Sequence, residues 1–382
     1  MTPTVDAMRN RFPIFRTRTY LNSCSYGAMA LDVKAAIDDY VERRMTKGSD
    51  WEDWVGRLEV LRGRLARFVG CDDDEMAVTA SVSESVNSLV SALDFSGPRK
   101  RVVLTDFDFP TTSQIFLSQQ RRGAEIVRAR ADESGGGIDY DEFDKLIDER
   151  TLIVSIPLVC YRNGALLDVA SVIELAHRRG VLVLIDGYQG IGAVPLNVRS
   201  LGADFLVGGC LKYLIGTAGV GYLYVRGAAH SALSPLFTGW FAQENIGAMN
   251  IYEHRPSQTA RRFESGTPNV CGLHAAAAGL AVLQEAGAAA IWRRIIELNG
   301  DMADRAAAEG WRLATPADPA RRGPMMAIRC RNAPELVRRL DAEEITVSDR
   351  DGNLRVSTHF YNNATDLDHL FDAMRRRRDL ID

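Results

Sequence analysis

The chain has 382 residues, of which 46% are hydrophobic and 25% are charged, and its formal net charge is −4 at pH 7. These values are ordinary for a soluble globular protein, and the length favours a large domain with a smaller companion. The charge excludes the strongly basic field that is typical of proteins that bind nucleic acid or anionic membranes.

The N-terminal stretch MTPTVDAMRNRFPIF lacks the apolar core of a signal peptide, and no apolar run reaches transmembrane length. Six cysteines are scattered without a CxxC pair, which argues against a zinc site and a secreted disulfide framework. The basic run RRRR at 375–378 is interpreted as a solvated helix end. We therefore expect a cytoplasmic protein that binds no metal, no nucleic acid and no membrane.

A pattern of apolar residues at helical spacing over 51–70 precedes a series of short apolar runs that alternate with helical stretches. Strands buried on both faces appear in sequence as continuous apolar runs, and their alternation with helices is typical of an α/β fold. The sequence predicts a large domain with a mostly parallel seven-stranded sheet. The predicted strands are 76–80, 101–106, 125–130, 151–159, 181–186, 204–209 and 220–225.

The pattern changes at about residue 256. Helix-like segments at 272–287 and 289–310 lead into weaker strand patterns at 324–330 and 354–360, which together predict a smaller α+β domain. The predicted divisions are an N-terminal arm at 1–14, a large domain at 15–255 and a small C-terminal domain at 256–382.

Ligands of an open parallel sheet bind at the carboxyl ends of its strands, and the segment TASVSES follows one of the predicted strands. Ser81 and Glu84 match a capping box, which predicts the start of a helix. A helix start at this place also offers free N–H groups to a phosphate, and Ser83 adds a hydroxyl. The residues alone favour capping and leave the phosphate interpretation open.

Asp186 and Lys212 end or follow two further predicted strands. The plain structural interpretation of Asp186 is a helix N-cap, and that of Lys212 is a lysine whose amine reaches the surface. Alternatively, a buried Asp186 needs a cationic partner, and burial of Lys212 lowers its pKa and frees its amine as a nucleophile. A phosphate cradle, a carboxylate and an imine-forming lysine together predict a site for pyridoxal 5′-phosphate (PLP).

The whole series of motifs resembles the fold type I PLP enzymes of the class V aminotransferase group. That group includes cysteine desulfurases, kynureninases and isopenicillin N epimerase-like proteins. The resemblance covers nearly the whole chain. It rests on the order of the motifs and on the interval from Asp186 to Lys212. The motifs are YLNSCSYGAMA, TASVSESVNSL, FDFPTTSQIF, YRNGALLDV, AHRRGVLVLIDGYQGIGAVPLNV, GADFLVGGCLKYLIGTAGVGYLYV, RRFESGTPNV and LRVSTHFYNNATDLDHL.

The resemblance implies roles for residues around the cofactor ring. Lys212 would form the internal aldimine and move the Cα proton, and Asp186 would pair with the pyridinium nitrogen. Gln189 would contact the phenolic oxygen of the ring. Phe109 would stack on the ring, as a phenylalanine does in kynureninases.

The resemblance also implies contacts to the phosphate and the substrate. Ser83 and the Glu84 amide would hold the phosphate, and Thr267 would reach it from the second subunit of a homodimer. Trp240 resembles another phosphate contact of kynureninases. Arg355 would pair with the α-carboxylate of the substrate, a bidentate task suited to guanidinium.

Some positions depart from the family patterns. Desulfurases have SGH just before the lysine, and this chain has Gly209, Cys210 and Leu211 there. Kynureninases usually have a tyrosine directly before the lysine, where Leu211 stands. One phosphate ligand of the family is therefore missing. The segment EEITVSDRDGNLRVS contains no nucleophilic cysteine, and Cys330 ends a predicted strand upstream, which argues against desulfurase activity. Thr112 replaces the aspartate of the kynureninase pattern, which argues against kynurenine hydrolysis.

The predicted function is a PLP-dependent transformation of a small or medium α-amino acid through the Lys212 aldimine and a Cα carbanion, of the class V aminotransferase type. The alternatives are a β-lyase that cleaves C–S or C–C bonds, as kynureninases do, and an amino-acid epimerase. A catalytically inactive binding protein is disfavoured because Lys212, Asp186 and Arg355 occur together.

Overall fold

The computed structural model describes residues 5–132, 135–227 and 232–382, and seven of its strands form one central sheet. Each of the seven predicted strand segments corresponds to one of those strands. In chain order the strands are β1 (Thr19–Tyr20), β2 (Met76–Thr79), β3 (Arg101–Thr105), β4 (Glu125–Ala129), β5 (Thr151–Pro157), β6 (Leu182–Asp186), β7 (Phe205–Gly209), β8 (Gly221–Val225), β9 (Met325–Arg329), β10 (Ile345–Thr346), β11 (Ser348–Arg350) and β12 (Asn353–Ser357).

Helices alternate with these strands through most of the chain. In chain order they are α1 (Val5–Met8), α2 (Leu31–Lys47), α3 (Trp51–Val69), α4 (Val82–Ser91), α5 (Pro110–Ser118), α6 (Tyr140–Leu146), α7 (Val169–Arg178), α8 (Val198–Leu201), α9 (Val270–Ala286), α10 (Ala288–Glu309), α11 (Ala333–Asp341) and α12 (Ala364–Arg375). The predicted amphipathic helix is α3. It begins after Asp50, which accepts a hydrogen bond from the Asp53 amide, and ends at Gly70 with a left-handed φ of 81°.

The central sheet has the strand order β2-β8-β7-β6-β5-β3-β4. The pairs β3–β4, β3–β5, β5–β6 and β6–β7 are parallel, whereas β8 runs antiparallel to both β2 and β7. The prediction of a mostly parallel seven-stranded sheet is confirmed. The carboxyl ends of β2, β6 and β7 consequently lie along the same edge of the sheet.

Both faces of the sheet are buried. In β6, Val183 and Ile185 join one hydrophobic cluster and Leu184 joins another, as the alternation of side chains along a strand requires. The first cluster includes residues of α3, α7 and α9, and the second includes residues of α4 and α5. Apolar side chains on both faces explain why the strands read as continuous apolar runs.

A second, antiparallel sheet with the order β11-β12-β9 packs against α10, α11 and α12 around a third hydrophobic cluster. The short strand β1 pairs with β10, so the N-terminal segment reaches this C-terminal layer. Helix α9 packs against α2 and α3. The division of the chain at residues 14 and 255 stays a prediction.

Among the described residues, no single helix is long and apolar enough to cross a membrane. The consecutive helices α9 and α10 meet that test as a pair, and they are bent by 79° at their break.

Candidate active site

Lys212 lies just after β7, in a turn that packs closely on the N-terminal segment. The Gly27 amide donates a hydrogen bond to the Leu211 carbonyl over 2.8 Å. A Cβ atom at Gly27 would come within 2.3 Å of the Lys212 carbonyl oxygen, so this close approach requires glycine. The backbone that carries the lysine is thereby held in place.

The side chain of Lys212 is surrounded by aromatic rings. Its Nζ atom lies 4.3 Å from the ring centroid of Tyr188 and 5.8 Å from that of Phe109. Burial lowers the pKa of the amine to about 8 because desolvation penalises the ammonium form, and nearby Arg355 acts in the same direction. Asp186 partly opposes this shift. The result is an amine that loses its proton readily.

Asp186 ends β6 and is only 6% exposed. Its Oδ1 atom accepts a hydrogen bond of 2.9 Å from the Tyr188 amide. Burial raises the pKa of the carboxyl group, whereas the Tyr188 amide and Lys212 act in the opposite direction. A buried carboxylate of this kind is stabilised by a cation placed against it.

A second buried carboxyl group, Asp108, lies close to Asp186. Burial raises its pKa to about 7, although hydrogen bonds from the Thr105 amide and hydroxyl act against this, and Asp186 raises it further. The Ser155 hydroxyl also donates to Asp108 over 3.2 Å. Sequence reasoning missed this residue, and the signal available was an acidic residue within FDFP at a strand end.

Arg355, on β12, is 4% exposed and firmly oriented. One Nη atom donates to the Tyr161 carbonyl over 2.8 Å and the other to the Ser348 hydroxyl over 3.0 Å. Its buried Nε atom has no hydrogen-bond partner among the described residues. A buried N–H of a guanidinium without a partner is costly, which favours an anionic ligand at this place.

One narrow cleft brings several predicted residues together. It is lined by Phe107, Phe109, Pro157, Val159, Tyr161, Asp186, Tyr188, Gln189 and Lys212. Gln189 is buried and its amide donates to the Cys24 carbonyl over 3.0 Å. Phe109 is 42% exposed and packs edge-on against Tyr161, with 5.0 Å between ring centroids. Four predicted residues therefore line one cleft, and the Tyr161 carbonyl connects it to the predicted substrate arginine.

The predicted phosphate-binding segment forms the start of α4. The Glu84 amide donates to the Ser81 hydroxyl over 3.1 Å, and the Glu84 carboxylate accepts from the Ala80 amide over 2.7 Å. The predicted Ser81 cap is therefore present and engages the Glu84 amide, but the Glu84 carboxylate accepts from the residue before the cap and not from Ser81, so the reciprocal half of the predicted capping box is not formed. Ser83 is exposed, and the first N–H groups of a helix lack partners within the helix. The phosphate-binding role of Ser83 and Glu84 stays a prediction.

Trp240 and Thr267 do not line the cleft. Trp240 starts a short 3₁₀ turn and packs edge-on against Trp51, with 5.5 Å between ring centroids. Thr267 is exposed, two residues after Ser265, whose hydroxyl donates to the Glu84 carboxylate. The loop with Thr267 thus lies beside the start of α4, and the roles of both residues stay predictions.

Comparison with known proteins agrees with this arrangement. Residues 52–370 match the family model described as aminotransferase class-V. The chain belongs to the class-V aminotransferase family. It is 33% identical over 369 residues to the uncharacterised aminotransferase YcbU of Bacillus subtilis (strain 168), a match that covers 97% of each chain.

Other members of the class-V family are more distant. A kynureninase of Geobacillus thermodenitrificans is 27% identical, with 87% of this chain and 81% of the relative covered. A probable cysteine desulfurase of Methanothermobacter thermautotrophicus is 27% identical, with 78% and 74% covered. The solved apo structure of a cysteine desulfurase from Thermococcus onnurineus superposes with a TM-score of 0.89 at 20% identity, covering 98% of each chain. It shares the fold.

Membership of the class-V family makes this protein a PLP-dependent enzyme that transforms amino acids, as the sequence predicts. The residues of the cleft fit the cofactor. A lysine amine of lowered pKa lies near a buried carboxylate, and a nearby buried arginine has an N–H without a partner among the described residues. The predictions of fold, enzyme class and cofactor are confirmed.

Proposed function

We propose that this class-V enzyme is an aminotransferase that acts on a small or medium α-amino acid. The observation that carries the proposal is the buried amine of Lys212, whose pKa is lowered to about 8, near Asp186 and Arg355. Transamination needs a neutral amine, a carboxylate and an arginine, and this chain supplies all three.

We assign cofactor binding to Ser83, Glu84, Phe109, Asp186, Gln189, Lys212, Trp240 and Thr267, and substrate binding to Arg355. PLP, when bound, supplies an electron sink for the bonds at the substrate Cα. Lys212 would hold PLP through its neutral amine and would take and return the proton at the substrate Cα. Buried Asp186 would stabilise a protonated ring nitrogen, since its carboxylate would gain a cationic partner.

Arg355 is well suited to orient the substrate. Two of its donors are held by Tyr161 and Ser348, which fixes the plane of the guanidinium, and its Nε–H is left for an α-carboxylate. A substrate held there has a defined position relative to Lys212, and positioning of this kind lowers the barrier to proton transfer.

Desulfurase chemistry finds no support in Cys330, the cysteine that precedes Arg355 in the sequence. Cys330 is half-buried and donates to the Ile328 carbonyl over 3.4 Å, and burial raises the pKa of its thiol to about 11. A thiol with so high a pKa is a poor nucleophile at neutral pH. We therefore keep transamination as the proposed reaction, with β-lysis and epimerisation as outcomes of its test.

The test is incubation of the yellow holoenzyme with a panel of amino acids and no keto acid. Stoichiometric conversion of the cofactor to its pyridoxamine form, with release of a keto acid, supports transamination. Continued production of pyruvate and ammonia supports the lyase, and loss of optical activity supports the epimerase. Borohydride reduction followed by peptide mass spectrometry should locate the cofactor on Lys212, and a colourless protein that takes up no PLP would contradict the proposal.

We also propose that the enzyme is a homodimer. The most exposed large apolar side chains among the described residues lie in the segment 236–252, where Leu236 is 78%, Ile251 84% and Tyr252 90% exposed. Monomeric proteins rarely leave a large apolar patch open to water. The exposed position of Thr267 supports a contact to a neighbouring subunit.

The state of the cysteines supports the predicted cytoplasmic location. All six are free thiols, and four of them are buried. Reduced cysteines without disulfides are typical of proteins in a reducing compartment.

A further inference from the structure

Tyr188 lies in the cleft and has no role among those assigned above. Its ring centroid is 4.3 Å from Lys212 Nζ, nearer than the ring of Phe109. Its backbone N–H donates to Asp186, which fixes its place directly after β6. Tyr188 therefore contributes a second aromatic wall beside the reactive amine.

The ring of Tyr188 occupies space that Gly209 leaves open. A Cβ atom at Gly209 would lie 2.6 Å from Cε2, 2.8 Å from Cζ and 2.9 Å from the hydroxyl oxygen of Tyr188. Gly209 is not among the glycines with positive φ. This position requires glycine for space, since its backbone conformation is open to any residue.

The space at Gly209 adjoins the start of α4. Gly209 pairs with Gly221 in the antiparallel register of β7 and β8. A Cβ at Gly221 would lie only 2.6 Å from the carbonyl carbon of Ser81. The Tyr188 hydroxyl is thus separated from the capping residue of α4 by two glycines without side chains.

The Tyr188 hydroxyl can donate a hydrogen bond. None of the described residues forms a hydrogen bond with it, and the ring is half-buried. Burial raises the pKa of the phenol, so it keeps its proton at neutral pH. A neutral hydroxyl that two paired glycines separate from a helix start is suited to an anion, because the first N–H groups of a helix lack partners within the helix.

We propose that Tyr188 is a phosphate-binding residue of the cofactor site. Its hydroxyl donates a hydrogen bond to the phosphate of PLP from the space that Gly209 leaves open, and its ring forms one wall of the slot. This inference rests on the proposed function, because it requires PLP at Lys212.

The deciding experiment compares the affinities of the apoprotein for PLP and for pyridoxal, which lacks the phosphate. Both are measured by titration of the visible absorbance of the lysine-bound cofactor, in the wild type and in Tyr188→Phe. We expect Tyr188→Phe to bind PLP about 10- to 100-fold more weakly, the usual range for a hydrogen bond to a charged group, and to bind pyridoxal as the wild type does. Unchanged affinity for PLP would overturn the proposal.

Two further variants test the shared space. Gly209→Ala should weaken PLP binding, because its Cβ displaces the Tyr188 ring, and far-UV circular dichroism checks that the variant folds. The double variant Y188A/G209S removes the ring and places a serine hydroxyl in the same space, so it should bind PLP more tightly than Tyr188→Ala. Wild-type affinity in Gly209→Ala, or no gain in the double variant, would count against the inference. Failure of the proposed function itself would be seen in the wild type, as an absence of PLP uptake.

Discussion

At the scale of single residues, burial decides the chemistry of the site. Lys212 and Asp186 carry opposite charges, and burial shifts the pKa of each toward its neutral form. Arg355 keeps its charge but has one N–H without a partner among the described residues. A cationic ring nitrogen would stabilise the carboxylate of Asp186, and an anionic substrate group would accept from the N–H of Arg355.

The pKa of Lys212 predicts a pH dependence for cofactor uptake. Only the neutral amine attacks an aldehyde, so the rate at which the apoprotein takes up PLP should rise with pH and level off above a midpoint of about 8. Stopped-flow absorbance over a pH series measures it, with Lys212→Ala as the control that forms no covalent adduct. A midpoint near the ordinary lysine value of 10.5 would contradict the buried state of the amine.

Replacement of Arg355 should affect the substrate more than the cofactor. For Arg355→Ala we expect KM to rise by about 10- to 100-fold, the effect of one lost hydrogen bond to a charged group. Arg355→Lys is the control, since it keeps the charge and loses the planar fork. Steady-state kinetics and the visible spectrum are measured together. An unchanged KM in both variants would indicate that the arginine is structural.

At the scale of elements, a buried ion pair anchors the loop that carries Thr267. Arg62, on α3, lies 2.5 Å from Glu264, and the same carboxylate accepts a hydrogen bond of 2.9 Å from the Val78 amide on β2. Burial raises the pKa of Glu264, and Arg62 counteracts this. The pair ties helix, strand and loop together, and the next residue of the loop, Ser265, donates to Glu84 of α4.

Removal of one partner should be strongly destabilising. Arg62→Met leaves Glu264 buried without its cation, and we expect a loss of about 3–5 kcal/mol in the free energy of unfolding. Arg57→Met on the same helix is the matched control, because its pair with Asp53 is partly exposed and is expected to contribute less than about 1 kcal/mol. Urea denaturation monitored by circular dichroism compares the two variants. Equal losses would show that burial of the pair is unimportant.

A buried histidine joins the C-terminal layer to the lysine turn. His359 Nε2 lies 2.9 Å from the Tyr213 carbonyl, and the Phe360 amide donates to Nδ1. Burial lowers the pKa of His359 to about 4, from 6.5 in an exposed histidine. Its folded pKa is below the unfolded value, so its contribution to stability is present above pH 6.5 and is lost as pH falls toward 4.

We expect His359→Gln, which keeps an N–H donor toward Tyr213, to flatten this pH dependence. The difference in unfolding free energy between wild type and variant should shrink by up to about 3 kcal/mol between pH 7 and pH 4. Urea titrations at several pH values measure it. A difference that stays constant with pH would show that this histidine does not titrate on unfolding.

At the scale of the whole molecule, the exposed apolar segment predicts association. Ile251→Asp places a charge where the proposed dimer buries an apolar side chain, so it should shift the enzyme toward monomer and reduce its activity. Ile296→Asp, which changes a half-exposed residue of α10, is the control. Sedimentation velocity and activity are compared at several concentrations. A wild type that sediments as an active monomer would contradict the homodimer.

Much of the fold was predictable because the strands are buried on both faces. Apolar runs mark the inner strands of the central sheet, whereas the edge strand β4 is half-buried and includes Glu125 and Arg128. The polar residues Asp186 and Lys212 follow the apolar runs of β6 and β7. Tyr188 and Asp108 were missed, because an aromatic or acidic residue in a loop has many possible environments. Their surroundings depend on residues far away in the chain.

The sequence by itself determined the fold class, the family, the cofactor and the residues at the ends of the strands. These follow from local patterns and from the order of the motifs. Only the tertiary structure decided the pKa of Lys212, the unused N–H of Arg355 and the packing of Tyr188 over Gly209. The physical reason is that desolvation, hydrogen-bond satisfaction and steric fit are set by atoms that only folding brings together.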